Sequence, residues 1–556
     1  MEKPWLSKYP AGVPANINPD QYSSLVAMID ETLKEFASRP AFSCMDKTLT
    51  FSEIDVKSRQ FGAYLHSRGL EPGDKIALMM PNLLQYPIAL FGALRAGLVV
   101  VNTNPLYTPR EMRHQFADSD AKAIVICENF AANLEQIIAD TGIKTIITTS
   151  IGELLGFKGI IVNAVVKYIK KMVPKYNLPN TVCFKKAVAE GANFSIKPFQ
   201  SNANDVIILQ YTGGTTGVSK GAMLTNRNLV ANMLQNRAIM GQYLEIGQSV
   251  AVCALPLYHI FAFTVNCLTL MGVGVHNILV TNARDIPSVV KEFKSHKINT
   301  FAAVNTLFNA LLNNDEFRTL DHSSLKVSVG GGMAVQRAVA ERWQQVTGSP
   351  LAEGFGMTES SPCASCNPFD GTGKIGTIGL PLPSTDFYIA DEAGNPMPQG
   401  EVGEIRVKGP QIMKGYYKKP EETAKTLQDG WLCTGDMGLM HADGYFQIVD
   451  RKKDMILVSG FNVYPNEIED VIAMMPKVLE VAAIGVKDEK SGELPKVFVV
   501  KKDDSLTEEE ILAHCKNNLT NYKLPKYVEF RKELPKTNVG KILRRQLRDE
   551  DEANKK

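Results

Sequence analysis

A run of glycine, hydroxyl and lysine side chains at residues 211–222 has the chemistry to hold a phosphate group. This phosphate loop reads YTGGTTGVSKGA, after the apolar run 206–209 and before a helix-like segment that begins near Asn226. Glycines let backbone N–H groups approach an anion, hydroxyls add donors, and Lys220 adds a positive charge. A Walker A loop needs adjacent Gly and Lys, whereas two residues separate Gly217 from Lys220. A flexible turn is the alternative, so the residues by themselves predict only a nucleotide or phosphate site.

Two further glycine-rich turns could approach a flat ligand and a metal ion. The run 327–332 (VSVGGG) predicts a strand that enters a triple-glycine turn, where the backbone can come close to a flat group. The run 351–360 (LAEGFGMTES) places an aromatic ring, a hydroxyl and a carboxylate in another turn. Thr358 and Glu359 offer the oxygen ligands that Mg²⁺ takes when it bridges phosphates. The alternative for this pair is a plain helix N-terminus.

Polar motifs at 429–436 and 448–454 could hold a sugar. Asp436, in DGWLCTGD, can accept hydrogen bonds from a ribose diol, and Arg451, in IVDRKKD, adds a planar fork of donors. His259 ends the run LPLYH and is expected near the end of a strand. A single histidine is usually structural, so His259 gains interest only if it lies beside the phosphate loop.

The elements that must position these residues alternate between strands and helices. Runs 75–80, 98–101 and 123–126 predict strands, and 84–96 and 110–117 predict helices between them. This order predicts a parallel sheet with helices on both faces. Ligands of such sheets bind at the carboxyl ends of the strands, where the phosphate loop would lie.

The pattern of predicted secondary structure changes towards the C-terminus of the chain. Residues 391–449 are rich in strand formers and turns, and a domain boundary is expected at 450–453. The remainder predicts a small α+β unit, with helices at 468–474 and 508–518 and strands at 481–484 and 497–500.

Composition limits the possible classes of protein. A chain of 556 residues with 44% apolar and 22% charged residues predicts a globular protein of at least two domains. A net charge of +2 provides no field for nucleic acid. Nine scattered cysteines favour reduced thiols, and the lone CxxC at 363–366 is interpreted as coincidence. No signal peptide is expected at the N-terminus, and the apolar run 261–280 is expected to be buried core because polar residues interrupt it.

Residues 157–176 differ from their surroundings because they combine apolar and basic side chains. On a helix, Ile161, Val165 and Tyr168 share one face with Ile169 and Met172, and lysines populate the other. Such a helix can lie in a membrane interface. Equally, it can cover a protein core while its lysines remain solvated.

Taken together and in order, these motifs resemble the acyl-adenylate-forming superfamily of acyl-CoA synthetases, adenylation domains and beetle luciferases. The stretch 429–453 further resembles the signature of fatty acyl-CoA synthetases. The resemblance extends over nearly the whole chain. The segments that carry it are 211–222, 255–259, 330–332, 354–359, 434–436, 450–453 and 538–541.

The resemblance implies an α/β fold and a two-step reaction. Residues 1–450 should form a large domain of two doubly wound subdomains plus a distorted β-barrel, and 451–556 a small mobile α+β lid. A long-chain fatty acid should attack ATP, with Mg²⁺, to give acyl-AMP and pyrophosphate, and coenzyme A should then displace AMP. The protein would be cytoplasmic and would contact the inner face of the cell membrane transiently. It could also form a homodimer.

The resemblance also assigns roles to individual residues. Lys541 should be the catalytic lysine that reaches the α-phosphate and the carboxylate, Lys220 should assist it, and His259 should gate the acyl pocket. Lys453 matches the hinge of the lid. Thr215 and Glu359 are expected to hold Mg²⁺. The residues expected to bind the nucleotide are Tyr211, Thr212, Gly213, Gly214, Thr215, Thr216, Gly217, Lys220, Gly330, Gly331, Gly332, Glu353, Gly354, Phe355, Gly356, Thr358, Asp436, Arg451 and Lys453.

Two rival functions stay open. One is an acyl-AMP ligase that passes its product to a carrier protein, although no insertion precedes the lid. The other is an inactive, membrane-bound fatty-acid-binding protein on the same fold, against which the intact Lys220, Glu359, Asp436 and Lys541 argue.

Overall fold

A computed structural model of the chain describes residues 2–212, 219–488, 490–537 and 539–554, and every structural statement below concerns these ranges. Within them the strands form four sheets. Three sheets are built from residues before the turn at 452–455, and the fourth is built entirely from residues after it.

An eight-stranded sheet of described residues carries the predicted strands of the N-terminal region. Ile76 and Leu78 face the largest apolar cluster, whereas Ala77 and Met79 face a second one. This period of two, with both faces buried, explains why the strands read as continuous apolar runs. In spatial order the strands are Gly415–Tyr416, Lys220–Thr225, Val206–Thr212, Val99–Asn102, Lys75–Met79, Ala121–Cys127, Thr145–Thr149 and Val182–Cys183.

A second sheet, with nine strands in the described chain, carries the triple-glycine turn at the end of one strand. Its central strands are parallel, and an antiparallel pair closes each edge. Both large sheets are therefore mixed, since the first also gains an antiparallel edge through Lys220–Thr225. In order the strands are Leu380–Pro381, Cys363–Cys366, Leu351–Gly356, Val327–Gly331, Thr300–Ala303, Val250–Cys253, His276–Leu279, Pro40–Cys44 and Lys47–Thr50.

Helices cover these sheets, and several begin at capping boxes that the sequence encodes. Thr50 with Glu53, and Thr108 with Glu111, each exchange reciprocal hydrogen bonds at a helix start. The predicted helices 84–96 and 110–117 are present as Gln85–Arg95 and Pro109–Ser119. The remaining longer helices before residue 452 are Leu25–Glu35, Phe51–Ser67, Ala131–Glu135, Phe157–Ala164, Phe184–Gly191, Asn226–Met240, Phe263–Leu270, Ile286–Ser295, Asn305–Leu312, Arg337–Thr347 and Pro420–Thr426.

The predicted order of strand, phosphate loop and helix is wrong in one respect. Lys220 does not precede a helix directly but opens the strand Lys220–Thr225, which pairs antiparallel with Val206–Thr212. The helix Asn226–Met240 begins only after that strand, with Thr225 as its N-cap. The loop therefore connects two strands of a hairpin, and Lys220 lies opposite Thr212 in the register.

The β-rich region and the C-terminal unit form the two smaller sheets, with five strands each among the described residues. The first consists of Asp386–Ala390, Gly403–Lys408, Trp431–Met440, Leu427–Gln428 and Phe446–Arg451. The second consists of Phe461–Val463, Ile456–Val458, Gly492–Lys501, Val478–Asp488 and Tyr527–Arg531, and three helices accompany it: Pro465–Ala473, Glu508–Asn518 and Arg544–Asn554. The C-terminal sheet has two apolar clusters of its own, whereas the cluster at the first of these sheets also includes Phe355, Ala364 and Leu380 of the nine-stranded sheet.

The amphipathic segment is a helix over Phe157–Ala164 that continues as a π-helix over Val165–Ile169. Val162 packs against the largest apolar cluster, but most of the other large apolar side chains do not cover a core. Phe157 is 80% exposed and Ile169 is 73% exposed, and Ile160, Ile161 and Met172 are also exposed. We call this region the 157–172 surface. The predicted buried stretch 261–280, by contrast, is buried over Phe263–Leu270.

Candidate active site

One cavity of about 1730 Å³ lies where the sheets meet the C-terminal unit. The carboxyl ends of Val206–Thr212, Val327–Gly331 and Leu351–Gly356 line it, as the rule for ligands of α/β sheets predicts. A drug-sized ligand needs roughly 300–1,000 Å³. The cavity can therefore hold a nucleotide together with a second substrate.

Lys541 extends into this cavity from the C-terminal unit. Its Cε lies 3.4 Å from the position that a β-carbon would take on Gly332. Removal from water, the largest effect, and the charge of Arg451 lower the pKa of Lys541 to about 8, against the opposing influence of Asp436 and Glu359. Lys541 thus lies among the charges that the sequence assigned to the sugar and metal sites.

Two hydrogen bonds from one helix of the N-terminal region reach the C-terminal unit in this arrangement. From the helix Asn305–Leu312, the Thr306 hydroxyl donates to the Gly540 carbonyl at 3.1 Å, and the Asn309 amide donates to the Leu479 carbonyl at 2.9 Å. Gly540 has a φ of +85°, and a β-carbon on it would lie 2.8 Å from Thr306 Oγ1. The residue beside Lys541 is therefore confined by both its own backbone and the opposite domain.

Asp436 and Arg451 lie opposite each other on adjacent strands, in Trp431–Met440 and Phe446–Arg451. Arg451 Nε lies 3.2 Å from Asp436 Oδ1. Asp436 is 4% exposed, and its burial raises its pKa, against the charges of Arg451 and Lys541. The buried carboxylate and the half-exposed guanidinium form the acceptor and donor pair that a ribose diol requires.

Two residues of the triple glycine, Gly331 and Gly332, form part of the cavity wall. A β-carbon on Gly331 would lie 3.0 Å from the Gly354 carbonyl oxygen, and Gly332 has a φ of +79°. A β-carbon on Gly330 would overlap the Val335 side chain. Side chains are therefore excluded at all three positions, and the backbone offers a flat surface.

The strand Leu351–Gly356 lies next to Val327–Gly331 in the sheet and continues the same wall, with Glu353 in register with Gly330. The Val335 amide donates to Glu353 Oε1 at 3.2 Å. Burial raises the pKa of Glu353 to about 8. Phe355 is buried and packs against Phe387 of the five-stranded sheet. Gly356, Thr358 and Gly354 line the cavity as predicted.

Glu359 lies in the turn Thr358–Ser360 and is 7% exposed. The Tyr416 hydroxyl donates to Glu359 Oε1 at 2.5 Å. Lys220 Nζ lies 2.9 Å from Glu422 Oε2 and 4.6 Å from the centre of the Tyr416 ring. The sequence indicated neither Tyr416 nor Glu422, because 57 residues separate Tyr416 from Glu359 and 202 separate Glu422 from Lys220.

His259 lies beside Lys541 in the cavity and caps the short helix Ile260–Ala262, where its Nδ1 accepts from the Phe261 amide at 3.3 Å. Burial, assisted by the charge of Lys541, lowers the pKa of His259 to about 3. The imidazole is therefore neutral. Next to it the cavity becomes apolar, with Ile239, Met240, Phe261, Val265, Val329 and Phe369 among its lining residues.

Lys453 lies in the turn that follows the strand Phe446–Arg451, and it lines the cavity. Burial and the charge of Arg451 lower its pKa to about 8. Asp450, just before the turn, is buried and accepts a hydrogen bond from Arg544 at 3.0 Å. The Arg544 guanidinium also forms an ion pair with Glu469 at 2.7 Å. The turn is thus flanked by a buried ion network that joins the β-rich region to the C-terminal helices.

The phosphate loop is described only at its ends. Tyr211, Thr212 and Lys220 line the cavity, and the Tyr211 hydroxyl donates to Asp118 at 2.7 Å. The predicted residues Gly213, Gly214, Thr215, Thr216 and Gly217 lie outside the described ranges.

Mg²⁺ usually binds to one or two carboxylates together with substrate phosphates and water. Glu359, a buried carboxylate on the cavity wall, fits that requirement. A complete protein cage of three or more His, Cys, Asp or Glu side chains does not occur in the described part of the chain.

Among the helices within the described ranges, we find none with the length and apolar character to cross a membrane.

Comparison with known proteins agrees with this geometry. The AMP-binding enzyme family model matches residues 29–417, and the model of the AMP-binding enzyme C-terminal domain matches residues 467–541. A long-chain-fatty-acid–CoA ligase of Yersinia pestis is 56% identical over 99% of this chain and 98% of its own. A ligase of the same name from Haemophilus influenzae is 52% identical over 100% of both chains.

The fold is also similar to the folds of solved structures. ATP-bound MatB from Rhodopseudomonas palustris is 27% identical, with a TM-score of 0.82 over 95% of this chain and 98% of its own. An anthranilate–CoA ligase in complex with anthranoyl-AMP shares the fold with a TM-score of 0.86, at 24% identity over 97% of this chain and 99% of its own. Since the family model alone matches well over half of its length, the chain belongs to the AMP-binding enzymes.

Proposed function

We propose that the chain is a long-chain-fatty-acid–CoA ligase that forms acyl-AMP from a fatty acid and ATP and then transfers the acyl group to coenzyme A. The observation that carries the proposal is the position of Lys541, inside one cavity with the Asp436–Arg451 pair and Glu359. Relatives that are 52% and 56% identical over nearly the full chain bear the same name and support it.

In the first half-reaction a carboxylate oxygen attacks the α-phosphorus, and the bond to the β-phosphate breaks to release pyrophosphate. Both reactants are anions, so their repulsion is a large part of the barrier. Lys541 faces the site of attack, and Lys220 lies at the end of the phosphate loop. Their positive charges therefore reduce the repulsion between the two anions. Adenine lies against the wall formed by Gly330–Gly332 and the adjacent residues Glu353–Phe355, and Asp436 with Arg451 holds ribose.

Glu359 and Thr215 are the residues we propose as ligands of Mg²⁺. When bound, Mg²⁺ neutralises negative charge on the phosphate oxygens. Glu359 is buried on the cavity wall, so its carboxylate needs a cation or donors near it. Tyr416 supplies one such donor.

In the second half-reaction the coenzyme A sulfur attacks the acyl carbonyl carbon, and the bond to the AMP oxygen breaks. Lys541 fills the space beside the intermediate, so a thiol can approach only when this lysine withdraws. We propose that residues 451–556 turn as a lid about Lys453. The separate sheet and apolar clusters of the C-terminal unit support a rigid-body rotation.

The fatty acyl chain occupies the apolar end of the cavity. Burial keeps His259 neutral at the boundary between the polar and apolar parts, where its charge would oppose both a hydrocarbon and Lys541. We propose that His259 gates this end. Beyond it, Val265 and Phe369 belong to an apolar cluster below the nine-stranded sheet.

We also propose that the 157–172 surface rests on the inner face of the cell membrane. Exposed apolar side chains alternate there with exposed lysines, including Lys167, Lys170 and Lys171. This combination is typical of reversible interfacial binding. It would place the cytoplasmic enzyme where long-chain fatty acids dissolve. A homodimer is a further proposal from the family resemblance, and light scattering at two concentrations tests it.

Pyrophosphate release with a long-chain fatty acid, measured with and without coenzyme A, tests the main proposal. We expect a stoichiometric burst without coenzyme A and turnover with thioester formation when it is added. A burst that coenzyme A cannot discharge would instead identify a ligase for a carrier protein. Absence of any pyrophosphate, despite fatty acid binding, would identify an inactive binding protein.

A further inference from the structure

Tyr416 contacts both charged groups that the proposed reaction needs beside the triphosphate. Its hydroxyl donates to Glu359 Oε1 at 2.5 Å, and the Lys220 ammonium lies 4.6 Å from the centre of its ring. We propose that Tyr416 is a positioning residue, which fixes the Glu359 carboxylate and the Lys220 ammonium relative to each other for binding of the triphosphate. The inference rests on the function proposed above.

The backbone holds the Tyr416 ring in the same sheet that holds Lys220. The short strand Gly415–Tyr416 pairs with Lys220–Thr225, and Tyr416 lies opposite Ala222. The Tyr416 amide also donates to Thr423 Oγ1 at 2.8 Å. Because the ring and Lys220 belong to adjacent strands, the sheet fixes the separation of their backbones and keeps the ring within reach of the Lys220 side chain.

The hydrogen bond from the Tyr416 hydroxyl engages only one of the two oxygens of the Glu359 carboxylate. Tyr416 engages Oε1, and within the described ranges no hydrogen bond to the second oxygen, Oε2, is found. Burial and the negative charge of Glu359 both raise the pKa of Tyr416, so its hydroxyl remains a donor at any physiological pH. One carboxylate oxygen is thus oriented by the phenol, and the other is available to a cation.

The ring and Glu422 act differently on Lys220. The hydrogen bond from Lys220 to Glu422, at 2.9 Å, holds the pKa of Glu422 at about 2. A bound polyphosphate must compete with Glu422 for the Lys220 ammonium. The Tyr416 ring attracts the ammonium from a different side, and it can support Lys220 in either pairing.

The ordinary interpretation is that Tyr416 only fills the core, since it belongs to the largest apolar cluster. The adjacent tyrosine offers a matched control for that interpretation. The Tyr417 hydroxyl donates to Asp120 at 2.9 Å, and Lys418 lies 5.2 Å from the centre of its ring. Tyr417 makes the same two kinds of contact, but it is not among the residues that line the cavity.

The test compares Tyr416→Phe, Tyr416→Leu and Tyr417→Phe in the full-length protein. Calorimetry measures binding of an ATP analogue that cannot be cleaved between its α- and β-phosphates, in a titration of Mg²⁺ and without the metal. Tyr416→Phe should raise the Mg²⁺ concentration needed for half-maximal binding by about 10- to 100-fold, as loss of a group that orients a metal ligand does. Its metal-free affinity should equal that of the wild type.

Tyr416→Leu should also lose about 3- to 30-fold in metal-free affinity, because it removes the ring beneath Lys220. Tyr417→Phe should match the wild type throughout. All variants should form thioester from pre-made acyl-AMP at the wild-type rate, and melting temperatures check that each variant folds.

Two results would overturn the inference. One is a Mg²⁺ titration of Tyr416→Phe that coincides with that of Tyr417→Phe. The other is an equal loss of affinity with and without Mg²⁺, which would leave Tyr416 as a packing residue. The binding titrations do not depend on turnover. A wild-type protein that releases no pyrophosphate would therefore refute the proposed function separately.

Discussion

The role of Lys541 depends on its surroundings more than that of any other residue discussed above. In the sequence it is one lysine in a basic tail, but in the fold it lies beside Gly332, Asp436 and Glu359. Lys541→Ala should reduce acyl-AMP formation about 10²- to 10³-fold, the usual cost of removing one group aimed at a developing charge. Thioester formation from pre-made acyl-AMP should survive. The exposed Lys526→Ala serves as control, and adenylation at the control rate in Lys541→Ala would refute the assignment.

The lowered pKa of Lys541 also predicts a pH dependence. Because the ammonium form attracts phosphate and carboxylate, and its pKa is about 8 in the free protein, kcat/KM for ATP should fall as the pH rises through about 8. His259, with a pKa of about 3, should add no rise near neutrality. Lys453 has a similar pKa, so the profile of Lys453→Gln should keep the same midpoint. A profile that is flat between pH 7 and 9 would contradict the prediction.

At the scale of elements, the turn at 452–455 connects the β-rich region to the C-terminal sheet. Lys453→Pro should fix the turn, since proline locks φ and also restricts the residue before it. The Lys453 amide donates no hydrogen bond within the described ranges, so the substitution removes no hydrogen bond from the present arrangement. We expect adenylation to continue and thioester formation to fail in rapid-quench assays of each half-reaction.

Lys453→Ala is the matched control for the turn, because it removes the same side chain but leaves the backbone free. It should retain thioester formation. An equal loss of both half-reactions in Lys453→Pro would mean that the turn is not the hinge.

The 157–172 surface is an element on which six large apolar side chains remain exposed: Phe157, Ile160, Ile161, Tyr168, Ile169 and Met172. Each basic residue near an anionic leaflet contributes roughly 1 kcal/mol. Replacing Lys167, Lys170 and Lys171 with glutamate should therefore abolish sedimentation of the protein with anionic liposomes. In the wild type, added salt should release the protein from the liposomes. Activity on detergent-dispersed fatty acid should be unchanged.

A second triple variant carries the same change of charge on exposed lysines elsewhere, at Lys34, Lys326 and Lys487. It should still bind the liposomes. If both triple variants lose binding equally, net charge rather than this surface is responsible.

At the scale of the whole molecule, the order of elements followed from sequence where the signal is local. Apolar runs such as 75–80 alternate towards two buried faces, and Thr108 with Glu111 marks the start of a helix. Several family motifs located cavity residues because they lie at the end of a strand, as 211–222, 330–332, 354–359 and 450–453 do. Asp436 and Arg451 meet because adjacent strands bring them into register.

The rest depends on contacts that no local pattern encodes. The sequence pattern did not indicate the strand Lys220–Thr225, because these residues lead directly into the helix that follows. Only pairing with Val206–Thr212 decides their conformation. Tyr416 approaches the site through sheet pairing, and Glu422 through the helix Pro420–Thr426 that follows it, both across long separations in sequence. The periodicity of 157–172 revealed an apolar face but could not reveal whether protein covers it, because periodicity is the same in both cases.

Gly540 has a consequence for how the sequence of such a protein can vary during evolution. Its positive φ restricts the choice of residue wherever the C-terminal unit lies, and asparagine could meet that requirement. The proximity of Thr306 excludes a β-carbon, but only while the C-terminal unit is packed as described above. If the unit rotates during the cycle, selection for glycine at 540 partly reflects an arrangement that exists during one half-reaction. A substitution there could then persist in a protein that folds well, and be removed only because the protein works slowly.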